Sequence, residues 1–105
     1  MKKNFRSYDL AVEFHNECCQ LSLPGYLKDQ LYRAAASIAL NLAEGSGRGS
    51  KKDQKRFFDI AFASLRESQA VLDLIQCKNT EIIQLADRLA ANIYCLIQSM
   101  KRELK

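Results

Sequence analysis

The sequence predicts an all-α domain of four helices packed as a bundle. Three observations carry that reading. Apolar residues recur at helical spacing along the chain. Two strong breaks and one weaker one divide the pattern into four stretches, and the last stretch bears the wide apolar stripe of a bundle helix. The 105 residues suffice for a single domain, residues 1–105. Surface scaling has folding remove roughly 11,000 Å² from water, about two-thirds of what the unfolded chain exposes, so a modest core forms without disulfides. A content of 48% hydrophobic and 27% charged residues excludes a disordered chain. No apolar run reaches the ~18 residues of a membrane span. The start, MKKNFRSYDL, lacks the apolar run of a signal peptide, so a cytoplasmic protein without membrane association is expected.

The first helix is expected near residues 7–21 and closes at Ser22-Leu23-Pro24-Gly25. Proline is tolerated in the first turn of a helix but not in its middle, so Pro24 opens the second, near 24–44. Its apolar stripe is Leu27, Leu31, Ile38 and Leu42. Ala34, Ala35, Ala36, Ala39 and Ala43 let a neighbouring helix come close and leave little room for a ligand cavity. Gly45-Ser46-Gly47-Arg48-Gly49-Ser50 holds three of the four glycines and reads as a helix C-cap followed by a flexible turn. Ser50 followed by Asp53 resembles a capping box and starts the third helix, near 51–76. Asn79 or Thr80 caps the fourth, near 80–103. There Ile82, Ala86, Leu89, Ile93, Leu96 and Met100 alternate by four and three, with Ile83, Ala90, Ile97 and Leu104 beside them.

The third helix is apolar on more sides than one bundle can cover. Phe58, Ala61, Leu65, Ser68, Leu72 and Ile75 form one seam, and Phe57, Ile60, Ser64, Val71 and Leu74 gather on a second flank. An uncovered flank of Phe57, Ile60, Val71 and Leu74 would mark an oligomer interface.

Sixteen Lys and Arg exceed twelve Asp and Glu, and the excess is clustered. Arg48, Lys51, Lys52, Lys55 and Arg56 face one anion, Asp53, a local +4 equal to the net charge of the chain. Lys2, Lys3 and Arg6 form a second basic spot, and Lys101, Arg102 and Lys105 a third. Clustered cations at a helix start suit nucleic acid, with these five residues as phosphate contacts rather than base readers. The cysteines, Cys18, Cys19, Cys77 and Cys95, include no C-x-x-C pair. His15, Cys18 and Cys19 could share a helical face, but structural zinc needs four ligands, so no metal or other cofactor is expected. Reduced, buried thiols acting as small hydrophobes are expected instead.

A polar line, Gln30, Arg33, Ser37, Asn41 and Glu44, runs beside the apolar stripe of the second helix. Its spacing suits a hydrogen-bonded network at a helix–helix or subunit contact, or a recognition face for RNA or a protein. At this line the sequence becomes recognisable. Residues 30–68, QLYRAAASIALNLAEGSGRGSKKDQKRFFDIAFASLRES, resemble the signature of the four-helix-bundle family encoded in intervening sequences of 23S ribosomal RNA genes. That signature has a helix of the form "QLRRAA-SI--NIAEG", a Gly/Ser/Arg loop, and a helix carrying "F--IA-GSL-E". Gln30, Leu31, Arg33, Ala34, Ala35, Ser37, Ile38, Asn41, Ala43, Glu44 and Gly45 match its first half. Arg48, Ser50, Phe57, Ile60, Ala61, Ser64, Leu65 and Glu67 match its second. Two departures matter: Tyr32 replaces the first Arg of a pair, and Ala63 replaces a Gly. The resemblance implies an up-down antiparallel four-helix bundle assembling into a homo-oligomeric ring, commonly a pentamer. It also implies kinship with accessory proteins of diversity-generating retroelements, which bind a reverse transcriptase and nucleic acid.

Together these readings predict a non-enzymatic, oligomeric protein binding RNA or DNA. The alternative is an adaptor for a reverse transcriptase or another RNA-handling enzyme. No catalytic residue stands out. GSGRGS has neither phosphate-loop spacing, and His15 does not face Glu13 or Glu17 across a helix.

Overall fold

The computed structural model of the chain describes residues 5–104. Lys2, Lys3 and Lys105, named above in two basic spots, lie outside the described residues. Four helices occupy nearly all of the rest: α1 Arg6–Cys18, α2 Gly25–Ser46, α3 Lys51–Leu74 and α4 Thr80–Glu103. Each packs on two neighbours, in the pairs α1–α2, α2–α3, α3–α4 and α4–α1. Connections of four to six residues leave consecutive helices no choice but to reverse direction. Side-chain contacts fix the antiparallel register. Gln30 meets Glu67, Ser37 meets Ser64, and Gly45 meets Phe58 between α2 and α3. Gln69 meets Asp87, and Lys51 meets Glu103, between α3 and α4. The body measures 43 × 23 × 20 Å, close to the roughly 36 Å length of a 24-residue helix.

Burial follows the helical periodicity. Leu10, Phe14 and Cys18 of α1 meet Leu31, Ile38 and Leu42 of α2, with Phe58, Leu65 and Leu72 of α3 and Ile82, Leu89 and Ile93 of α4. Three assignments change. Val71, expected on the exposed flank of α3, is 3% exposed and belongs to the core, because it sits one position from Leu72 at the α3 end facing the bundle axis. Leu85, absent from the expected stripe of α4, is buried beside Ala86. Leu96, expected in that stripe, is only half-buried.

The helix ends show how local chemistry sets the boundaries. Ser50 Oγ accepts from Asp53 N at 3.1 Å, and Asn79 Oδ1 accepts from Ile82 N at 3.1 Å, so both expected caps form. Helix α1 stops at Cys18 instead of reaching residue 21. The chain tightens into a turn there, and the Tyr32 hydroxyl donates to the free Cys19 carbonyl at 3.1 Å. Helix α2 runs on through Gly45 to Ser46, beyond its expected end. Gly45 is therefore not a left-handed cap, and no glycine among the described residues has positive φ.

The left-handed residue is Gln76, with φ 51°, after α3. Cys77 N donates to Leu72 O and Gln76 N to Asp73 O, each at 3.0 Å, the paired bonds of a Schellman motif. Glycine takes this conformation without the steric cost borne by a side chain. Gln76→Gly should therefore raise unfolding stability by about 1 kcal/mol, read from the urea midpoint at unchanged m. A lowered midpoint would show that the Gln76 side chain contributes more than its strain costs.

Candidate nucleic-acid interface

The up-down topology does something the linear order conceals. The starts of α1 and α3 and the ends of α2 and α4 share one end of the bundle. There the Phe5 and Phe58 rings meet with centroids 6.3 Å apart, and Lys51 Nζ lies 3.5 Å from a Glu103 carboxylate oxygen. Basic segments far apart in sequence thus become one surface. Among the described residues this half holds eight cations: Arg6, Arg48, Lys51, Lys52, Lys55, Arg56, Lys101 and Arg102. Against them stand five carboxylates, Asp9, Glu44, Asp53, Asp59 and Glu103, a balance of +3. The opposite half sets Lys28, Arg33, Arg66, Lys78 and Arg88 against Glu13, Glu17, Asp29, Glu67, Asp73, Glu81 and Asp87, a balance of −2. The charge is polarised along the bundle axis, which orients an approaching polyanion toward the basic end.

The five cations expected to hold phosphate are brought together, but most already have partners. Arg48 bonds Glu44 at 2.8 Å, Lys55 bonds Asp59 at 2.7 Å, and Arg56 approaches Asp53 at 3.8 Å. Lys51 pairs with Glu103, whereas Lys52 has no ion pair among the described residues. The local +4 of the linear count is thus reduced by Glu44 of α2, Asp59 in the third turn of α3, and Glu103 of α4. Arg48 and Arg56 also lie over the Phe57 ring, 4.7 and 4.4 Å from its centroid. Phe57 is half-buried under these two guanidinium groups rather than bare on an exposed flank.

Most of the polar line on α2 is spent inside the chain. Ser37 Oγ and Ser64 Oγ are 2.8 Å apart, and Asn41 Nδ2 donates to Ser37 O at 2.8 Å and to Ser37 Oγ at 3.0 Å. Gln30 donates to Glu67, and Glu44 holds Arg48 in the loop. Arg33 and Glu44 stay exposed, and Arg33 has no ion pair among the described residues. Gly45 completes this seam. A Cβ there would lie 2.7 Å from Phe58 Cε1 and 3.0 Å from Phe57 Cβ, so only glycine lets α2 and α3 come this close. Gln30, Ser37, Gly45, Ser64 and Glu67, which help carry the family resemblance, are thus residues that zip α2 to α3, and Asn41 braces Ser37 from within α2.

On the second flank of α3, Ile60 is 40% and Leu74 is 71% exposed. Leu40, 68% exposed, stands at the level of Ile60 on α2, and Tyr26, 78% exposed, lines the same depression as Leu74. Neither Leu40 nor Tyr26 was expected in an apolar surface. Leu40 sits beside the polar line, and the helical pattern alone does not show how far α3 covers it.

The cysteines divide. Cys18 is fully buried. Burial, with smaller effects from nearby Cys19, Cys77 and Glu17, pushes its thiol from 9.0 up to about 12. Cys19 and Cys95 are exposed and Cys77 is half-buried, contrary to the expectation of buried thiols: Cys19 lies just past the end of α1, and Cys95 falls off the inward face of α4. Cys19 Sγ lies 3.6 Å from His15 Nε2, while Cys18 turns inward, so the three do not converge. A thiol reagent at pH 8 should modify Cys19 and Cys95 at once and Cys18 only on unfolding. Labelling of Cys18 at the rate of Cys19 would contradict its burial. The native thiol keeps its proton where the unfolded one loses it. Its contribution to stability is therefore intact below pH 9 and is lost as pH rises toward 12.

Among the described residues, no helix is long and apolar enough to cross a membrane. Nor do three or more His, Cys, Asp and Glu side chains gather as a possible metal site there. Residues 3–79 match the family described as 23S rRNA-intervening sequence protein. Comparison with curated proteins gives no match.

Proposed function

The chain belongs to the 23S rRNA-intervening sequence protein family, and from that premise we propose that it is a non-enzymatic, oligomeric protein that binds RNA through its basic end. One observation carries the proposal: the fold gathers sequence-distant basic segments on a single end of the bundle. The existing ion pairs do not oppose it. Exposed pairs of this kind contribute about 0–1 kcal/mol each, so a phosphate oxygen readily replaces a carboxylate. Lys52 needs no such exchange, and the first turn of α3 offers backbone N–H groups beside it. Such contacts position a backbone without reading sequence.

Assembly multiplies the effect. Ile60 with Leu40, and Leu74 with Tyr26, offer a second copy two apolar spots along the α2–α3 pair. A ring, with a pentamer favoured, repeats the basic end once per subunit, turning modest single-site attraction into avidity. Native mass spectrometry should show one oligomer, and Ile60→Asp with Leu74→Asp should shift it to monomer. An unchanged oligomer would place the interface elsewhere.

Fluorescence anisotropy with RNA across a salt series tests the binding itself. The logarithm of the affinity should fall linearly with the logarithm of salt, with a slope of about −0.7 per phosphate for single strands. No binding at low salt would overturn the proposal and direct attention to a protein partner, such as a reverse transcriptase.

A further inference from the structure

The basic end is not only a charged surface. At its centre, between the start of α3 and the end of α4, lies a depression of about 250 Å³. Phe58 and Met100, both buried, form its floor, and the half-buried Phe5 and Leu96 form its walls. Lys51 and Gln54 stand on its rim. The Phe5 and Phe58 rings, which both line the depression, meet each other edge to face at 61°. We infer that this depression receives one unpaired base of a single-stranded RNA, while Lys51 and the cations around it hold the adjoining phosphates. The inference rests on the RNA-binding reading above and adds to it the class of RNA.

Three features select this occupant. The depression falls below the range of about 300–1,000 Å³ usual for pockets that enclose a drug-sized ligand, and so suits a single flat group. Its lining mixes the aromatic and aliphatic side chains of Phe5, Phe58, Leu96 and Met100, which suit the face of a base, with the Gln54 amide, which supplies both a donor and an acceptor for the base edge. The surroundings carry the positive charge that a nucleotide's phosphates require, with Lys51 on the rim and Lys52, Lys101 and Arg102 on the same end. A base in a duplex is stacked and paired and must be extruded before it can enter, so single strands are preferred.

The test uses the full chain and two probes of one sequence, a single-stranded RNA of about ten nucleotides carrying 2-aminopurine and the corresponding duplex. The single strand should bind roughly tenfold more tightly than the duplex, and the 2-aminopurine emission should change on binding. Ser46, which also lines the depression, allows it to be blocked. Ser46→Phe should cost the single strand roughly tenfold in affinity, remove the emission change and leave duplex binding unaltered. Gln54→Ala, on the half-exposed rim, should act in the same direction, and it serves if the larger substitution disturbs the fold. Equal affinity for both probes, unmoved by either substitution, would overturn the pocket and leave phosphate binding standing. Binding of neither probe would overturn the RNA-binding reading itself.

Discussion

Gly45→Val should destabilise the fold by about 3 kcal/mol and lower the thermal midpoint by roughly 15 °C. The reason is a contact between two helices. The position is buried, and an added Cβ alone would come within 2.7 Å of Phe58 Cε1 and 3.0 Å of Phe57 Cβ. Phe58 cannot yield easily, being 3% exposed and packed edge-on against Phe5. The two further methyl groups of valine would force α2 and α3 apart along the seam that Ser37, Ser64, Gln30 and Glu67 hold closed. Overpacking of this kind costs about 1–3 kcal/mol and sometimes more, out of a total stability of about 5–15 kcal/mol. Gly45→Ala is the graded control. Its gain of about 1 kcal/mol in helix propensity opposes the clash, so it should lose less than valine. Thermal unfolding followed by circular dichroism reads both. An unchanged midpoint for Gly45→Val would mean that α2 and α3 can separate there without loss.

The second large effect concerns binding. Lys52→Glu combined with Arg56→Glu and Lys101→Glu should weaken RNA binding at least about a hundredfold and lower the salt slope by about two. These three positions are exposed, and neither Lys52 nor Lys101 has an ion pair among the described residues. Arg56 gives up a 3.8 Å approach to Asp53 and its place over the Phe57 ring, which Arg48 also covers. Surface changes of this type usually move stability by no more than about 0.5 kcal/mol each, so the oligomer and its thermal midpoint should persist. Lys51→Glu with Lys55→Glu should also abolish binding while leaving the oligomer intact. It additionally breaks the ties to Glu103 and Asp59, which makes it the less clean probe. Undiminished affinity in the triple variant, with its fold verified, would remove the basic end from the binding surface.

Much of the architecture was legible in the chain. Ser50 and Asn79 marked the starts of α3 and α4 because an N-cap is a bond between residues three apart, complete within one short segment. The apolar spacing of α4 likewise identified Ile82, Ala86, Leu89, Ile93 and Met100 as core, since helical geometry alone puts them on one side. The same reasoning misplaced Val71 and left out Leu85. Which edge of a broad stripe is covered depends on where the neighbouring helix lies. It also assigned Gly45 to a cap, because a glycine near a helix end looks the same whether it turns the chain or admits another helix.

The candidate site was legible only in pieces. Arg48, Lys51, Lys52, Lys55 and Arg56 stood out as a cluster, and Lys101 and Arg102 as a separate spot, each a property of consecutive residues. Their convergence, and the carboxylates that moderate them, belong to the folded chain. The sequence by itself determined the helices, their caps and the polar and apolar faces, because these arise from interactions within a few residues. Only the tertiary structure decided that the basic segments share one end, that the polar line closes on α3, and that Phe5, Phe58 and Met100 enclose a depression between them. Those are contacts across the bundle, set by how antiparallel helices pack and invisible to any local pattern.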